Sequence, residues 1–146
     1  MADKAWYVYW NDYAKDTFIN GSEIFFHGKD DVEFKNDFMS PGTVIKKWHS
    51  KTNFQIDKVE PTLPMIDGEG KYRIRLYCSE DGMNKLLLKI RYYNRYNNEI
   101  GSEIIRDGEI IFKCPIQTFS YDVELISSGA NHFHFNFIEI MEVEDE

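Results

Sequence analysis

Apolar side chains recur at every second position along much of this chain, and no segment sustains the three-and-four spacing of an amphipathic helix. Period two is the mark of a pleated strand, whose successive side chains point to opposite faces. The pattern predicts strands over Trp6–Trp10, Ser22–Phe26, Val32–Phe34, Val44–Trp48, Lys71–Cys78, Lys85–Tyr93, Glu99–Ile105, Glu109–Cys114, Tyr121–Ile126 and His132–Ile140. The breaks carry turn chemistry: Asn20-Gly21, Pro41-Gly42, Asp67-Gly68, Asp81-Gly82, Asn97-Asn98, Asp107-Gly108 and Ser127-Ser128-Gly129. Asp107-Gly108, between Ile104-Ile105 and Ile110-Ile111, is the sharpest hairpin signal, because both residues tolerate positive φ. Short strands with turns every ten residues or so predict an all-β sandwich or barrel.

Composition agrees. Aromatics reach 16 %, with 11 Phe and 9 Tyr, and such flat side chains suit a half-buried pleated surface. A length of 146 residues, with no repeat, linker or low-complexity tract, predicts one domain over residues 1–146. The stretch from Asn36 to Gly70 is loop-rich, since Pro41, Pro61 and Pro64 bar long ladders there. The acidic end, Glu142 to Glu146, reads as a solvated tail.

Several partners are disfavoured at this level. A net charge of −8 argues against nucleic acid and against direct membrane binding, both of which draw on basic faces. Cys78 and Cys114 each close an apolar strand pattern, so they are expected to act as small hydrophobes rather than as a bridge. Met1 to Trp10 lacks the pattern of a signal peptide, and no window resembles a membrane span. The expected compartment is the cytoplasm.

Alternation also sorts side chains by face. Tyr72, Ile74, Leu76 and Cys78 point one way, and Arg73, Arg75 and Tyr77 the other. Leu86, Leu88, Ile90 and Tyr92 alternate with Leu87, Lys89, Arg91 and Tyr93. If Ser79–Asn84 joins these strands as a hairpin, Arg73, Arg75, Tyr77, Lys89, Arg91 and Tyr93 share one outer face. In the last strand Phe133, Phe135 and Phe137 oppose His132, His134 and Asn136. The apolar set then passes to Ile138 and Ile140, which predicts a bulge near Phe137. Rings for stacking and planar donors for hydroxyls or carboxylates are what sugar or peptide recognition needs, so this stripe is the candidate partner- or glycan-binding surface. The competing reading is an ordinary solvent-facing strand surface.

Catalytic patterns do not emerge. The sequence holds no nucleophile elbow, zinc-protease helix, phosphate loop or dinucleotide fingerprint. His132 and His134 could chelate a metal, but no third ligand is indicated, and no cofactor is expected. Binding is therefore favoured over catalysis.

A specific series of residues runs from Thr17 to Tyr72. It comprises Gly21-Ser22-Glu23-Ile24, Val32-Glu33-Phe34-Lys35-Asn36, Met39-Ser40-Pro41-Gly42 and Ile45-Lys46-Lys47-Trp48-His49-Ser50. Thr52-Asn53-Phe54-Gln55, Pro61-Thr62-Leu63-Pro64 and Gly70-Lys71-Tyr72 follow, then Arg91-Tyr92-Tyr93-Asn94, Glu99-Ile100, Tyr121-Asp122-Val123-Glu124-Leu125-Ile126 and Phe133-His134-Phe135. In order and spacing the series resembles the smallest of the three cytoplasmic accessory proteins of the accessory Sec secretion system of Gram-positive bacteria.

That resemblance implies an antiparallel β-sandwich of the jelly-roll, carbohydrate-binding-module type. It implies a complex with two larger accessory proteins, aiding the accessory Sec motor ATPase in exporting a glycosylated serine-rich repeat adhesin. The implied role is scaffolding and adhesin recognition without catalysis, with recruitment to the membrane translocon only through partners. Within the series, Trp48, Ser50, Asn53, Leu63 and Pro64 are either partner contacts or residues that fix the irregular crossover against the sheet; the second is favoured, because a loop Trp is more often a core plug. Competing functions are a free-standing carbohydrate-binding module and a small hydrolase or metal-dependent enzyme.

Overall fold

Each stretch of alternation becomes a strand in the computed structural model, which describes residues 5–10, 17–18, 21–50, 63–64, 70–79, 85–106 and 108–143. The strands are β1 (Ala5–Val8), β2 (Glu23–Gly28), β3 (Asp31–Lys35), β4 (Val44–His49), β5 (Lys71–Cys78), β6 (Leu86–Tyr93), β7 (Glu99–Ile105), β8 (Glu109–Lys113), β9 (Ser120–Ser127) and β10 (His132–Glu142). Among the expected features, Asn20, Asn53, Asp67-Gly68, Asp81-Gly82, Asp107 and residues 144–146 lie outside the described residues. No helix among the described residues is long and apolar enough to cross a membrane.

The strands form two antiparallel sheets. The first has the order β2-β3-β10-β5-β8, with β1 also on β10; the second has the order β4-β9-β6-β7. β10 is long enough to take two neighbours in succession on one edge. Its residues His132 to Phe135 pair with β3, and Ile138 to Met141 pair with β1. The apolar faces of both sheets meet in one cluster that includes Phe34, Ile74, Phe112 and Ile140 from the first sheet and Trp48, Leu88, Ile90 and Val123 from the second. Trp48 stacks across the gap on Phe135, with centroids 5.5 Å apart, and Tyr92 reaches Phe112 at 6.3 Å. This is the antiparallel β-sandwich that the resemblance implies, one of the two architectures the alternation allowed.

The bulge in β10 is present: the register against β5 shifts between Phe135 and Phe137. The extra residue turns Ile138 and Ile140 into the core, where both are fully buried. It also moves Phe137 outward. The expectation that Phe137 shares the inner face of Phe133 and Phe135 fails, because the phase change falls one residue earlier than the apolar pattern suggests. Phe137 instead packs on Tyr77, with centroids 4.5 Å apart, and edge-on to Tyr7 at 5.3 Å.

Two expected hairpins do not form. β5 and β6 lie in different sheets, so they close no ladder with each other. The same holds for β7 and β8, although Gly108 has the positive φ of 81° that its turn chemistry called for. A turn pair reverses the chain locally, but whether the outgoing strand joins the same sheet depends on which partner offers apolar cover. Sequential hairpins occur at β2-β3 and β6-β7. In the latter, Asn97 adopts φ 64° while the Asn94 side-chain oxygen accepts from the backbone N–H groups of Tyr96 and Asn98.

Candidate functional site

The split of β5 and β6 between sheets divides the expected outer stripe in two. Arg73, Arg75, Tyr77, His132, His134 and Asn136 lie on the outer face of the first sheet, and Lys89, Arg91 and Tyr93 on the outer face of the second. One continuous surface of nine residues does not exist. The in-or-out assignment of each residue is right; the adjacency is not, because it rested on the hairpin.

On the first sheet, β2, β3 and β10 run side by side and turn their polar positions to solvent. His27, Asp31, Glu33, His132 and His134 gather there. Glu33 Oε1 accepts from His27 Nε2 at 2.8 Å, and Glu33 Oε2 accepts from His132 Nε2. Asp31 Oδ1 lies 2.8 Å from His134 Nδ1. Asn136 donates to the Asp30 carbonyl at 2.9 Å. Hydrogen bonds from His27 and then His132, with the nearby imidazoles behind them, lower the Glu33 carboxyl from 4.5 to about 2. Beyond the bulge the face becomes aromatic and cationic: Arg75 lies 4.8 Å over the Tyr77 ring, and Lys29 lies 4.5 Å over Tyr9. Arg73 and Arg75 both approach Glu109 of β8, and Arg73 also nears Glu139.

The second sheet shows the same neutralisation. Glu124, only 3 % exposed, sits in β9 between β4 and β6. It accepts from Arg91 Nε at 3.2 Å and pairs with Lys47 Nζ at 3.3 Å. Arg91 Nη1 donates to Glu99 Oε1 at 2.8 Å, and that bond, ahead of the one to Glu124, raises the guanidinium pKa further. Tyr93 is pushed up to about 12, first by burial and then by the Asp122 and Glu99 carboxylates. His49 Nδ1 pairs with Asp122 Oδ1 at 2.8 Å. Alternation therefore locates the cations, but apart from Glu99 in the next strand the carboxylates that balance them come from strands distant in sequence. The stripe is a charge-paired surface, not a like-charged one.

The residues of the resemblance are mostly structural in their contacts. Trp48 is fully buried, donates from Nε1 to the Tyr9 carbonyl at 3.1 Å and sets its ring edge-on to Trp10. The Ser50 backbone N–H donates to the Tyr121 carbonyl, and its hydroxyl accepts from the Tyr121 N–H at 2.8 Å. Leu63 is buried and donates to the His49 carbonyl, while the Pro64 carbonyl accepts from the Tyr121 hydroxyl at 2.6 Å. These bonds hold the two ends of the crossover against β4 and β9. Asn53 lies outside the described residues.

A feature missed in the sequence lies at one end of the sandwich. The β6-β7 turn and the β8-β9 loop enclose a cleft of about 390 Å³ lined by Asn94, Arg95, Tyr96, Ile116, Gln117 and Phe119. Tyr96, Ile116 and Phe119 are 77, 71 and 55 % exposed. The Asn94 side chain shapes the turn, and the Phe119 N–H donates to the Tyr93 carbonyl at 2.8 Å, which ties the second wall to β6. Apolar residues in turns carry no periodicity, so alternation gave no hint of them. Exposed rings beside amide and guanidinium donors suit a polar ligand with flat apolar faces, or an apolar partner surface.

Residues 17–142 match the family described as accessory Sec secretory system ASP3. Over 130 residues the chain is 32 % identical to accessory Sec system protein Asp3 of Streptococcus gordonii, covering 89 % of this chain and 82 % of that protein. A chain of the Glycosylation Associate Protein (Gap123) complex from Streptococcus agalactiae superposes with a TM-score of 0.89 at 30 % identity, covering 97 % of this chain and 46 % of that one. The crystal structure of accessory secretory protein 1, 2 and 3 in Streptococcus pneumoniae contains a chain with a TM-score of 0.88 at 23 % identity, covering 94 % of this chain and 95 % of that one. The fold alone is shared with the C-terminal CBM6 of a laminarinase from Zobellia galactanivorans, with a TM-score of 0.50 at 9 % identity. The matched span takes in every strand from β2 to β10, and this chain belongs to the accessory Sec secretory system ASP3 family.

Proposed function

We propose that this chain is a non-catalytic scaffold subunit of a cytoplasmic accessory Sec complex, holding two larger accessory proteins and helping to recognise a glycosylated serine-rich repeat adhesin for the motor ATPase. The observation that carries the reading is the 30 % identical chain of the Gap123 complex, which matches almost the whole sandwich. The pneumococcal neighbour, found with accessory secretory proteins 1 and 2, supports the same arrangement. Membrane contact in this reading is indirect, through the translocon. The end cleft supplies an adhesin-facing surface. Tyr96 and Phe119 offer rings for stacking on sugar or peptide, and Asn94, Arg95 and Gln117 offer donors and acceptors for hydroxyls. The outer-face groups Arg75 and Arg91 are rim contacts, since their charge is already balanced within the chain by Glu109 and Glu124.

The test is co-expression of the tagged chain with the two larger accessory proteins and the adhesin, followed by affinity purification. Recovery of both larger proteins at stoichiometric yield is expected. The double substitution Tyr96→Ala with Phe119→Ala is expected to lose the adhesin while keeping both larger proteins. A chain that purifies alone, yet binds glycans by itself, would replace the scaffold reading with that of an independent carbohydrate-binding module.

A further inference from the structure

We propose that the outer face of the first sheet carries a binding site for a divalent transition ion of the zinc class, built from His27 of β2, Glu33 of β3 and His134 of β10. Three strands from different parts of the chain converge on it. Register places Phe25 and His134 directly opposite Glu33 on its two sides, and His27 follows Phe25 by two on the same face. One ligand atom from each of His27, Glu33 and His134 lies within 4.8 Å of the other two. His27 Nε2 is 2.8 Å from Glu33 Oε1, and His134 Nε2 is 4.0 Å from Glu33 Oε2. The His27 and His134 rings stand nearly parallel, with centroids 5.8 Å apart.

The donor set selects the ion. Two imidazoles and a carboxylate suit zinc and its transition-metal neighbours, whereas calcium and magnesium require mostly oxygen. Zinc bonds of about 2.0–2.2 Å set tetrahedral ligands roughly 3.3–3.5 Å apart, so His27 and Glu33 part by about half an ångström while His134 closes on Glu33 by a similar amount. His27 and His134 are 48 and 36 % exposed, which leaves their rings room to rotate. His132, also bonded to Glu33, borders the three-residue cluster.

A supporting group is already set. A carboxylate can only accept, so Asp31 holds the proton of His134 on Nδ1 and leaves Nε2 as the nitrogen for metal. Glu33 offers two carboxylate oxygens, Oε1 towards His27 and Oε2 towards His134. Loading turns His27 Nε2 from a donor to Glu33 into a ligand of the ion, with the ring proton carried on Nδ1. Lys35 and Glu23 lie next along the same face, paired across β2 and β3. The ion would clip the edge strand β2 to the central strand β10 across β3, independently of any partner protein.

The experiment is calorimetric titration of the full chain with zinc chloride at about pH 7.5, with cobalt(II) absorption as a readout of coordination geometry. One ion per chain is expected, with cobalt bands of tetrahedral intensity. His27→Gln and His134→Gln should each weaken binding by at least about tenfold. Glu33→Gln, which preserves shape on the sheet surface, should do the same. His49→Gln, altering the histidine paired with Asp122 on the opposite sheet, should leave zinc affinity unchanged. Circular dichroism confirms that each variant keeps its sheet. Absence of saturable zinc binding in the wild type, or variants at His27, Glu33 and His134 that titrate like it, would overturn the proposal.

Discussion

Replacing Trp48 by Phe separates the two readings of the residues carried by the family resemblance. If Trp48 is a core plug, the cost follows from its contacts. Phe retains a ring against Phe135 and Trp10 but loses the indole N–H that donates to Tyr9. The missing volume, about 40 Å³, costs roughly 1 kcal/mol at about 24 cal/mol per Å³ if the site does not collapse. The unpaired Tyr9 carbonyl is half-buried and can recover water, so its loss sits near the low end, about 1 kcal/mol. The sum is about 2 kcal/mol. With a urea m-value of about 2 kcal/mol/M for a chain of this length, the midpoint falls by about 1 M with m unchanged. The assay is urea unfolding followed by far-UV circular dichroism, alongside co-purification with the two larger accessory proteins. The variant should lose stability and keep its partners. A variant as stable as the wild type that nevertheless fails to bind them would refute the argument and make Trp48 a contact residue.

The charge-paired faces give further expectations. Glu124→Gln removes the shared acceptor of Arg91 and Lys47 and should destabilise the sandwich by about 1–2 kcal/mol, less at molar salt, because both cations can still reach water. Urea melts at low and high salt check it, and a loss independent of salt would contradict an electrostatic origin. The Glu33 carboxyl should titrate near 2 by NMR. Its folded pKa is depressed, so its contribution is complete above the ordinary value of 4.5 and disappears as pH falls towards about 2. The stability gap between wild type and Glu33→Gln should shrink across that window, and a gap that widened on acidification would reverse the assignment. Arg75→Ala and Arg91→Ala, on opposite faces, should be additive to within about 0.5 kcal/mol. A measured coupling above about 1 kcal/mol would return the two arginines to one surface.

Strand positions were legible because they depend on a repeat internal to each segment. β5 and β7 begin and end where alternation places them, and the phase change in β10 announces its bulge, though Phe137 itself was assigned to the wrong side. Lys46 shows the limit within a single strand. It is fully buried beside Trp10 and Thr17, because the β4 register shifts between Val44 and Lys46. A lysine between Ile45 and Lys47 gives no sequence sign of that.

What the sequence determined by itself was parity: Ile74 in and Arg75 out, Ile90 in and Arg91 out, with the turn residues that separate strands. Parity follows from backbone geometry and needs no knowledge of the neighbour. Only the tertiary structure decided adjacency. It sent β5 and β6 to opposite sheets, set Glu124 between Lys47 and Arg91, and brought Glu33 to His132 from 99 residues away. Which strand lies beside which is settled by the burial of all the apolar faces together, and no local segment carries that information.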